Sequence, residues 1–383
     1  MTNKIEGMRN DVQVRELVRN YMKSIRKNVN QEGKSKTKDY SKKVIFTECR
    51  KGFLNGEYVD RLVIFMRGTG CSQVKEIGGC TFCGFYNATN LGEKVADKYY
   101  INQIRNVIED KKIKSSNYSI MCLYNDGSLL NDEEMSFNVL CRIISELSEI
   151  QTVKKIVIES RVENITEEKL RRIRKTTNKE FEIAVGFESA NPMVRNLCVN
   201  KSFDTAVFEE KLEITKKYNI SIIPLLMVKP PFLTEAEAIE DFVYSLKYLE
   251  QFDLKRIDME LPTIEKNTLT YDLWVNGLYE PLKLWSAIEI LRRKEELGLT
   301  IPIYISPMNY TVPAEEKASN CEKCNDTIDK LFEEYNKVRD FSIFNDINCN
   351  CKSEWKKSLL IKNNYENLSE RIVMTINKLN EKI

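Results

Sequence analysis

The sequence lacks histidine entirely, in a chain of 383 residues. Histidine is the most common general base and a frequent zinc ligand. Its absence excludes hydrolytic dyads, Cys-His nucleophile pairs and zinc sites built on imidazole. Any chemistry must therefore use cysteine, carboxylates, lysine, arginine, tyrosine or a bound cofactor.

Long apolar runs are also lacking. The longest, at residues 220–228, falls well short of the ~20 residues that span a bilayer. No early segment combines a basic start with an apolar core. We therefore expect a cytoplasmic protein that does not contact a membrane. Lysine and arginine (59) nearly balance aspartate and glutamate (57), so overall charge gives no argument for binding nucleic acid.

Cysteine, in contrast, occurs 11 times. In a reducing compartment this content favours metal ligation or redox chemistry over a disulfide framework. Seven of these cysteines form two clusters, Cys71, Cys80 and Cys83 in one and Cys321, Cys324, Cys349 and Cys351 in the other. The remaining four lie in or beside apolar patterns and are interpreted as simple buried thiols: Cys49, Cys122, Cys141 and Cys198.

The patterning predicts three regions: a basic amino-terminal extension (1–55), a core domain (56–310) and a small carboxy-terminal cysteine-bound module (311–383). The extension begins with a helix-like segment. Its basic residues indicate either a solvated surface or a phosphate-binding arm: Arg19, Lys23, Arg26, Lys27, Lys34, Lys36, Lys38, Lys42 and Lys43.

The core domain contains six short apolar, β-branched runs separated by amphipathic, helix-like segments. The runs cover residues 61–66, 118–124, 154–159, 182–187, 220–228 and 256–261. Strands and helices that alternate at this spacing indicate parallel βαβ units. We therefore predict an α/β fold, a partial (β/α)6 barrel.

Polar or glycine-containing motifs directly follow most of these strands. They are the three-cysteine loop, Asn125–Ser128, Glu159–Arg161, Gly186–Ser189 and Lys229–Pro231. Because sites in parallel β/α folds collect at the carboxyl ends of the strands, we expect these motifs to meet on one rim.

The two cysteine clusters predict different metal sites. Three thiolates would leave one iron of a 4Fe–4S cluster open to an outside ligand; the alternative is a zinc site completed by Cys49 or Cys122. The carboxy-terminal cluster offers a full set of four ligands. It suits zinc, which we favour, or an auxiliary iron–sulfur cluster.

Several site candidates also have structural interpretations. Arg161 and Glu188 suit either cofactor binding or ion pairs within the barrel rim. Lys229 is interpreted either as a site residue held in position or as the ion-pair partner of a nearby carboxylate. Three aromatic residues suit the core better than a base-stacking platform: Trp274, Tyr279 and Trp285.

The cysteine loop, Cys71-x8-Cys80-x2-Cys83 with Phe82 before its last cysteine, resembles that of the radical S-adenosylmethionine (SAM) superfamily. Its wide first spacing is similar to the branch that contains the Elongator catalytic subunit and the archaeosine synthase radical-SAM subunit. The segment Lys229–Glu235, the downstream pattern from Asn267 to Ser286 and the carboxy-terminal cysteine pairs with Trp355 resemble the archaeosine subunit.

The resemblance implies specific roles. A 4Fe–4S cluster on Cys71, Cys80 and Cys83 would bind SAM and generate a 5′-deoxyadenosyl radical. Gly127 and Ser128 would receive the amino group of SAM. The Glu159–Arg161 segment would hold its carboxylate, and Glu188 would lie near its nucleoside. We predict Lys229 and Glu188 as catalytic residues.

The implied reaction is a lyase step that cleaves lysine from a modified 7-deazaguanine base in transfer RNA. It implies an electron donor such as flavodoxin or ferredoxin and a partner enzyme that attaches the lysine. The chain departs from the branch pattern at Ser202 and at Glu280, Leu282 and Lys283. Two alternatives therefore stay open, a radical SAM enzyme for a small molecule or peptide, and a non-catalytic metal-binding scaffold.

Overall fold

The computed structural model describes residues 2–33, 40, 42–201, 203–307, 314–361 and 367–381. Lys34, Lys36, Lys38 and Ser202 lie outside the described residues. The strands are β1 (Phe46–Leu54), β2 (Glu57–Phe65), β3 (Ile120–Tyr124), β4 (Lys155–Glu159), β5 (Glu180–Glu188), β6 (Ile220–Met227), β7 (Ile257–Glu260) and β8 (Ile303–Ile305).

The helices follow these strands or flank the sheet. They are α1 (Thr2–Gly33), α2 (Gln73–Ile77), α3 (Asp97–Glu109), α4 (Lys111–Ser115), α5 (Phe137–Ser148), α6 (Glu167–Thr176), α7 (Thr205–Lys217), α8 (Glu235–Leu249), α9 (Leu269–Val275), α10 (Leu284–Glu296), α11 (Asn325–Val338), α12 (Cys351–Ser358) and α13 (Leu368–Asn380). A π-helix covers Val194–Cys198, and 3-10 helices cover Phe85–Ala88, Val162–Asn164 and Phe341–Phe344.

The eight strands form one sheet in chain order, with β2 to β8 parallel and β1 antiparallel to β2. The two edges of this sheet approach each other. The Tyr304 hydroxyl on β8 donates to the Lys51 carbonyl on β1 at 3.3 Å, and the rings of Phe53 and Tyr304 lie 6.1 Å apart. Because its first and last strands touch, the sheet is curled, and the predicted α/β partial barrel is confirmed.

The six predicted strands correspond to β2 through β7, while β1 and β8 were not predicted. Strand β1 has charged side chains, Glu48 and Arg50, on the same face as Phe46, which stacks on Phe65 at 4.1 Å inside the barrel. This removes the alternation of apolar and polar residues that marks a half-buried strand. Strand β8 is only three residues long.

The barrel has an apolar outer layer and a mixed interior. Outward-facing residues such as Ile64 and Ile158 belong to the main core beneath the helices, whereas Val63 and Val157 form a separate interior cluster. Toward the amino ends of the strands, ion pairs fill the interior: Lys155–Glu182 (2.7 Å), Arg256–Glu182 (3.0 Å) and Arg256–Asp258 (2.8 Å). This packed charge network leaves the carboxyl ends of the strands for chemistry.

Helix α1 packs against α2, α9, α13 and the π-helix. Its buried residues include Val18, Met22 and Arg26, and Arg26 is only 3% exposed. Interpreting Arg26 as part of a solvated or phosphate-binding arm was therefore wrong. Lys23 and Lys27 on the same helix are exposed, as that interpretation requires.

The predicted boundaries near residues 55 and 310 stay a prediction. Contacts cross both of them, because β1 pairs with β2 and α11 packs against β8. Within the described ranges, no helix has the length and apolar character needed to cross a membrane.

Candidate active site

The first cysteine cluster lies in a loop that leaves the carboxyl end of β2 and contains the short helix α2. This helix ends at Gly78, which has a φ of 82°. A Cβ atom there would lie 2.6 Å from the Met22 Cβ atom and 2.8 Å from the Lys23 backbone nitrogen. Glycine is therefore required for the loop to approach α1 this closely.

Buried side chains from distant parts of the chain hold this loop. The Arg26 guanidinium donates to three backbone carbonyls, those of Gly78 (3.2 Å), Cys83 (2.6 Å) and Asn267 (3.1 Å). The Asn200 amide donates to the carbonyls of Ile77 (2.9 Å) and Gly79 (2.8 Å). The loop is thus fixed by the protein itself, as a preorganised metal site requires.

The three thiols lie in a strongly desolvated region. Burial raises the pKa of Cys71 to about 12 and that of Cys83 well above its ordinary value. Burial also raises the pKa of Cys80, against the opposing charges of nearby cations. Metal binding requires the thiolate form, which these cations favour. They are Arg26, Arg161 and Lys201.

The turn after β3 is joined to the cysteine loop by buried acids. The Glu134 carboxylate accepts from the backbone N–H groups of Ser72 (2.9 Å) and Ser128 (2.6 Å). The Glu159 carboxylate accepts from the Asn125 backbone N–H at 2.6 Å, and burial raises its pKa to about 7. A Cβ atom on Gly127 would lie 1.9 Å from the Glu134 Oε2 atom. Gly127 is therefore necessary for this close approach.

The same turn carries buried polar atoms that find no hydrogen-bond partner within the described residues. They are both amide atoms of Asn125, which is fully buried, and the Oδ2 atom of Asp126. Asp126 also adopts a φ of 60°, which is unfavourable for a residue with a side chain. Buried polar groups are nearly always satisfied in native proteins, so a bound ligand is the natural partner for these atoms.

Predicted residues just after β4 and at the end of β5 also lie near the loop. Arg161 is 8% exposed, and its charge partly offsets the burial that raises the pKa of Cys71 and Cys80. It also forms an ion pair with Glu163 at 2.6 Å, and Glu188 pairs with Lys201 at 2.8 Å. Arg161 and Glu188 therefore both form ion pairs, as their structural interpretation predicts. Their roles in cofactor binding stay predictions.

Lys229, directly after β6, is buried and has a φ of 61°. Its ammonium donates to the Glu235 carboxylate at 2.7 Å and to the Glu280 carbonyl at 2.8 Å. The Tyr279 hydroxyl donates to the Lys229 carbonyl at 2.9 Å. The structural interpretation of Lys229 as a partner for a nearby carboxylate is therefore met by Glu235. The catalytic role of Lys229 stays a prediction.

Sequence reasoning missed several residues of the rim. Glu260 ends β7, where burial raises its pKa to about 7 and the Ser306 hydroxyl donates to it at 2.6 Å. Applying the rule of strand ends to the sixth predicted strand would have identified Glu260. Arg26 and Glu134 carry no local signal, because their importance arises only from long-range contacts.

The aromatic predictions are confirmed for Trp285 (1% exposed) and Tyr279 (6%), which belong to the core. Trp274 is partly buried. Among the four separate cysteines, Cys122 and Cys198 are buried as predicted and Cys141 is partly buried, but Cys49 is exposed. Its position on the outward face of β1, a strand that was not predicted, explains that error.

The second cysteine cluster forms a compact tetrad. The Sγ atoms of Cys321 and Cys324 lie 3.5 Å apart, as do those of Cys321 and Cys349, and those of Cys324 and Cys351 lie 3.6 Å apart. Tetrahedral zinc with bonds of about 2.3 Å to sulfur would place neighbouring sulfurs ~3.8 Å apart. Cysteines that bind different irons of a cluster stand further apart, so this geometry fits one tetrahedral ion.

Two tryptophans link this tetrad to the barrel. The Trp285 indole N–H points at the Cys351 sulfur at 3.2 Å, and the Trp355 indole N–H donates to the Ser286 hydroxyl at 2.8 Å. The Ser286 hydroxyl in turn donates to the Glu235 carboxylate, the partner of Lys229. A continuous buried chain of contacts therefore runs from the four cysteines to the end of β6.

Comparison with known proteins gives relatives that match about four fifths of the chain. No family model matches the chain. An uncharacterized protein of Methanocaldococcus jannaschii is 33% identical over 308 residues, covering 79% of this chain and 82% of its own length. Archaeosine synthase subunit beta of Methanosarcina acetivorans is 29% identical, covering 80% and 87%. The same subunit of Thermococcus kodakarensis is 26% identical, covering 77% and 90%.

Solved structures give weaker likenesses. Methanocaldococcus infernus Elp3 aligns with 61% of this chain and 58% of its own, at 13% identity and a TM-score of 0.46. A queuine lyase of Clostridium spiroforme, bound to SAM and queuine, aligns with 57% of this chain and 81% of its own, at 20% identity and a TM-score of 0.42.

A curled parallel barrel with a three-cysteine loop after its first parallel strand is the architecture of a radical SAM enzyme. The chain belongs to the radical SAM superfamily, and archaeosine synthase beta subunits are among its relatives.

Both metal sites fit their expected occupants. Among the described residues, the carboxy-terminal tetrad alone brings three or more metal-ligand atoms within 4.8 Å of one another. The three loop thiols do not all lie within that distance of one another. Such spacing suits a cluster in which each thiolate binds a different iron. The unsatisfied atoms of Asn125 and Asp126 give the same rim a place for a polar ligand.

Proposed function

We propose that the protein is a cytoplasmic radical SAM lyase that cleaves a carbon–nitrogen bond in a lysine-bearing 7-deazaguanine base of transfer RNA. The two relatives named archaeosine synthase subunit beta support this substrate, and their name supports a partner subunit. The observation that carries the proposal is the convergence of the three-cysteine loop with the unsatisfied turn after β3 and the Glu188–Lys201 pair.

The residues of the loop have defined tasks in this proposal. Cys71, Cys80 and Cys83 hold a 4Fe–4S cluster, which supplies, when bound, the electron that splits SAM and so provides the radical. The positive charges of Arg26 and Arg161 favour the thiolate form of these ligands.

The turn and strand ends hold SAM. The carbonyl and side-chain oxygens near Asn125 and Asp126 accept from its ammonium group, and the Arg161 guanidinium binds its carboxylate. Gly127 and Ser128 keep their predicted part in receiving the ammonium group through backbone carbonyls of the turn, and Glu134 fixes the turn by accepting from the Ser128 N–H. Glu159 fixes the turn from beneath through Asn125. Glu188 accepts from a hydroxyl of the nucleoside.

The substrate half of the rim contains the departures from the branch pattern. The Glu280 carbonyl accepts from Lys229, and the Lys283 backbone N–H donates to Glu235 at 3.3 Å. Both substitutions therefore adjoin the buried Lys229–Glu235 pair. Lys229 keeps its predicted role here, as a cation that orients the substrate.

Zinc is the ion that we propose for Cys321, Cys324, Cys349 and Cys351, where it stabilises the carboxy-terminal module. A ferredoxin or flavodoxin serves as electron donor.

The test is anaerobic reconstitution with iron and sulfide, followed by incubation with reductant, SAM and transfer RNA that carries the lysine-modified base. We expect 5′-deoxyadenosine together with a formamidine-bearing nucleoside, both detected by mass spectrometry. Transfer RNA with the unmodified 7-cyano base is the matched control and should give neither product. Turnover of a free nucleobase or peptide alone, without salt-sensitive binding of transfer RNA, would favour the small-molecule alternative.

A further inference from the structure

The seam between β1 and β8 contains a cavity of about 660 Å³. Its lining includes Glu48 and Arg50 from β1, Ser306, which follows β8, and residues of α11 such as Glu333 and Lys337. Toward the amino ends of the parallel strands, the seam is closed by the contacts of Tyr304 with Lys51 and Phe53. The volume lies within the ~300–1,000 Å³ range of small-molecule sites.

Charged groups of both signs meet along this cavity. The Arg50 guanidinium pairs with Glu48 at 2.5 Å, and each of these side chains is only 11% exposed. Ser306, which lines the same cavity, donates to Glu260 at 2.6 Å. One guanidinium thus pairs with a carboxylate of β1, and Ser306 connects the cavity wall to the Glu260 carboxylate at the end of β7.

Burial of these charged side chains beside the cavity is costly if their only role is to close the seam between β1 and β8. Apolar side chains of similar volume would do so at lower cost, because desolvation of buried charges offsets much of their attraction. Tyr304 and Phe53 already provide such a closure lower in the seam. The mixed charges above it therefore indicate a ligand that carries both signs.

The position of the cavity relative to the rim restricts what it would bind. Glu48 and Arg50 share the inward face of β1 with Phe46, which stacks on Phe65. Phe65 is the last residue of β2, directly before the cysteine loop. A substrate whose reacting carbon lies at the loop could therefore extend its far end into the seam.

We propose that the seam cavity binds the α-ammonium and α-carboxylate groups of an amino-acid moiety of the substrate. Arg50 binds the carboxylate through its two-pronged guanidinium, and Glu48 accepts from the ammonium. This assignment rests on the proposed function, in which the moiety is the lysine attached to the base. Arg50 is then a specificity-determining residue that does not touch the bond being broken.

The first test compares two substrates with wild-type protein and Arg50→Gln. One transfer RNA carries the lysine-modified base, and the other carries its decarboxylated analogue, made with 1,5-diaminopentane. We expect Arg50→Gln to lower kcat/KM about 10- to 100-fold for the lysine substrate, the size of one lost charged hydrogen-bond pair. For the decarboxylated analogue, the loss should be threefold or less.

Arg105→Gln is the matched control, since it removes an arginine from an exposed ion pair with Glu146 on the helical surface. It should leave both values unchanged. An equal loss for both substrates in Arg50→Gln, or equal turnover of the two substrates by the wild type, would overturn the assignment. The wild-type comparison holds even if the variant fails to fold.

The second test separates this inference from the proposed function. Equilibrium dialysis measures binding of free L-lysine, 1,5-diaminopentane and 6-aminohexanoate to the holoenzyme. We expect L-lysine alone to bind, and Arg50→Gln to weaken it at least tenfold. Lysine binding without turnover of the modified transfer RNA would refute the proposed function while keeping an amino-acid site. Turnover without discrimination among the three probes or the two substrates would refute the seam assignment alone.

Discussion

Replacing Arg26 with methionine tests whether α1 forms part of the cofactor site. Arg26 is 3% exposed and donates to three backbone carbonyls, two of them in the cysteine loop. A hydrogen bond from a charged donor contributes about 1.5–3 kcal/mol. Methionine refills part of the volume, and the carbonyls can rotate toward water. We therefore expect a net loss of about 3–5 kcal/mol in the free energy of unfolding.

Urea unfolding of the metal-free protein measures this loss, and iron analysis after anaerobic reconstitution measures its effect on the site. We expect the variant to retain less than half of the loop iron, because the carbonyl of Cys83 itself loses its partner. Lys27→Met is the matched control, since Lys27 is the adjacent, exposed residue of the same helix. Equal stability and equal iron content in the two variants would refute the role of Arg26.

Three further predictions concern other parts of the molecule. The folded protein holds the Glu260 proton up to about pH 7, and the unfolded chain releases it near pH 4.5. Stability of the metal-free protein should therefore fall as pH rises through this interval. Glu260→Gln should reduce that fall by about 1–3 kcal/mol in urea unfolding. An unchanged slope would show that the facing groups, Asp258, Glu188 and Arg50, set the titration instead. Cys321→Ala should lose one equivalent of zinc in metal analysis and keep the loop iron, and loss of iron instead would identify the tetrad as a cluster site. Gly127→Ala should weaken SAM binding at least tenfold in dialysis, because the added Cβ atom displaces Glu134, and unchanged binding would contradict that steric argument.

The strands that the sequence predicted are those whose residues are apolar on both faces. Strands β2 through β7 have helices outside and a packed interior, so β-branched residues fill them almost continuously. Strand β1 was not predicted, because Glu48 and Arg50 occupy inward positions that are normally apolar. The same two residues line the seam cavity. The strand that the apolar pattern did not predict is therefore one for which we infer a function.

The candidate site was predictable where its residues are close in sequence. The cysteine loop, the turn after β3 and the ends of β4 and β5 follow directly from the rule that sites collect at the carboxyl ends of parallel strands. The residues that support them were not predictable. Arg26 lies 52 and 57 residues from two of its loop partners, and Glu134 reaches Ser72 across 62. Single-sequence patterns contain no signal for such contacts.

The central claim is that the three-cysteine loop holds a cluster that activates SAM. Formation of 5′-deoxyadenosine by reduced, reconstituted protein, incubated with SAM and the lysine-modified transfer RNA, tests it most directly. We predict that the wild type and Cys321→Ala form this product and that Cys80→Ala does not. A protein that takes up zinc alone and never forms 5′-deoxyadenosine, or product that persists in Cys80→Ala, would contradict the account.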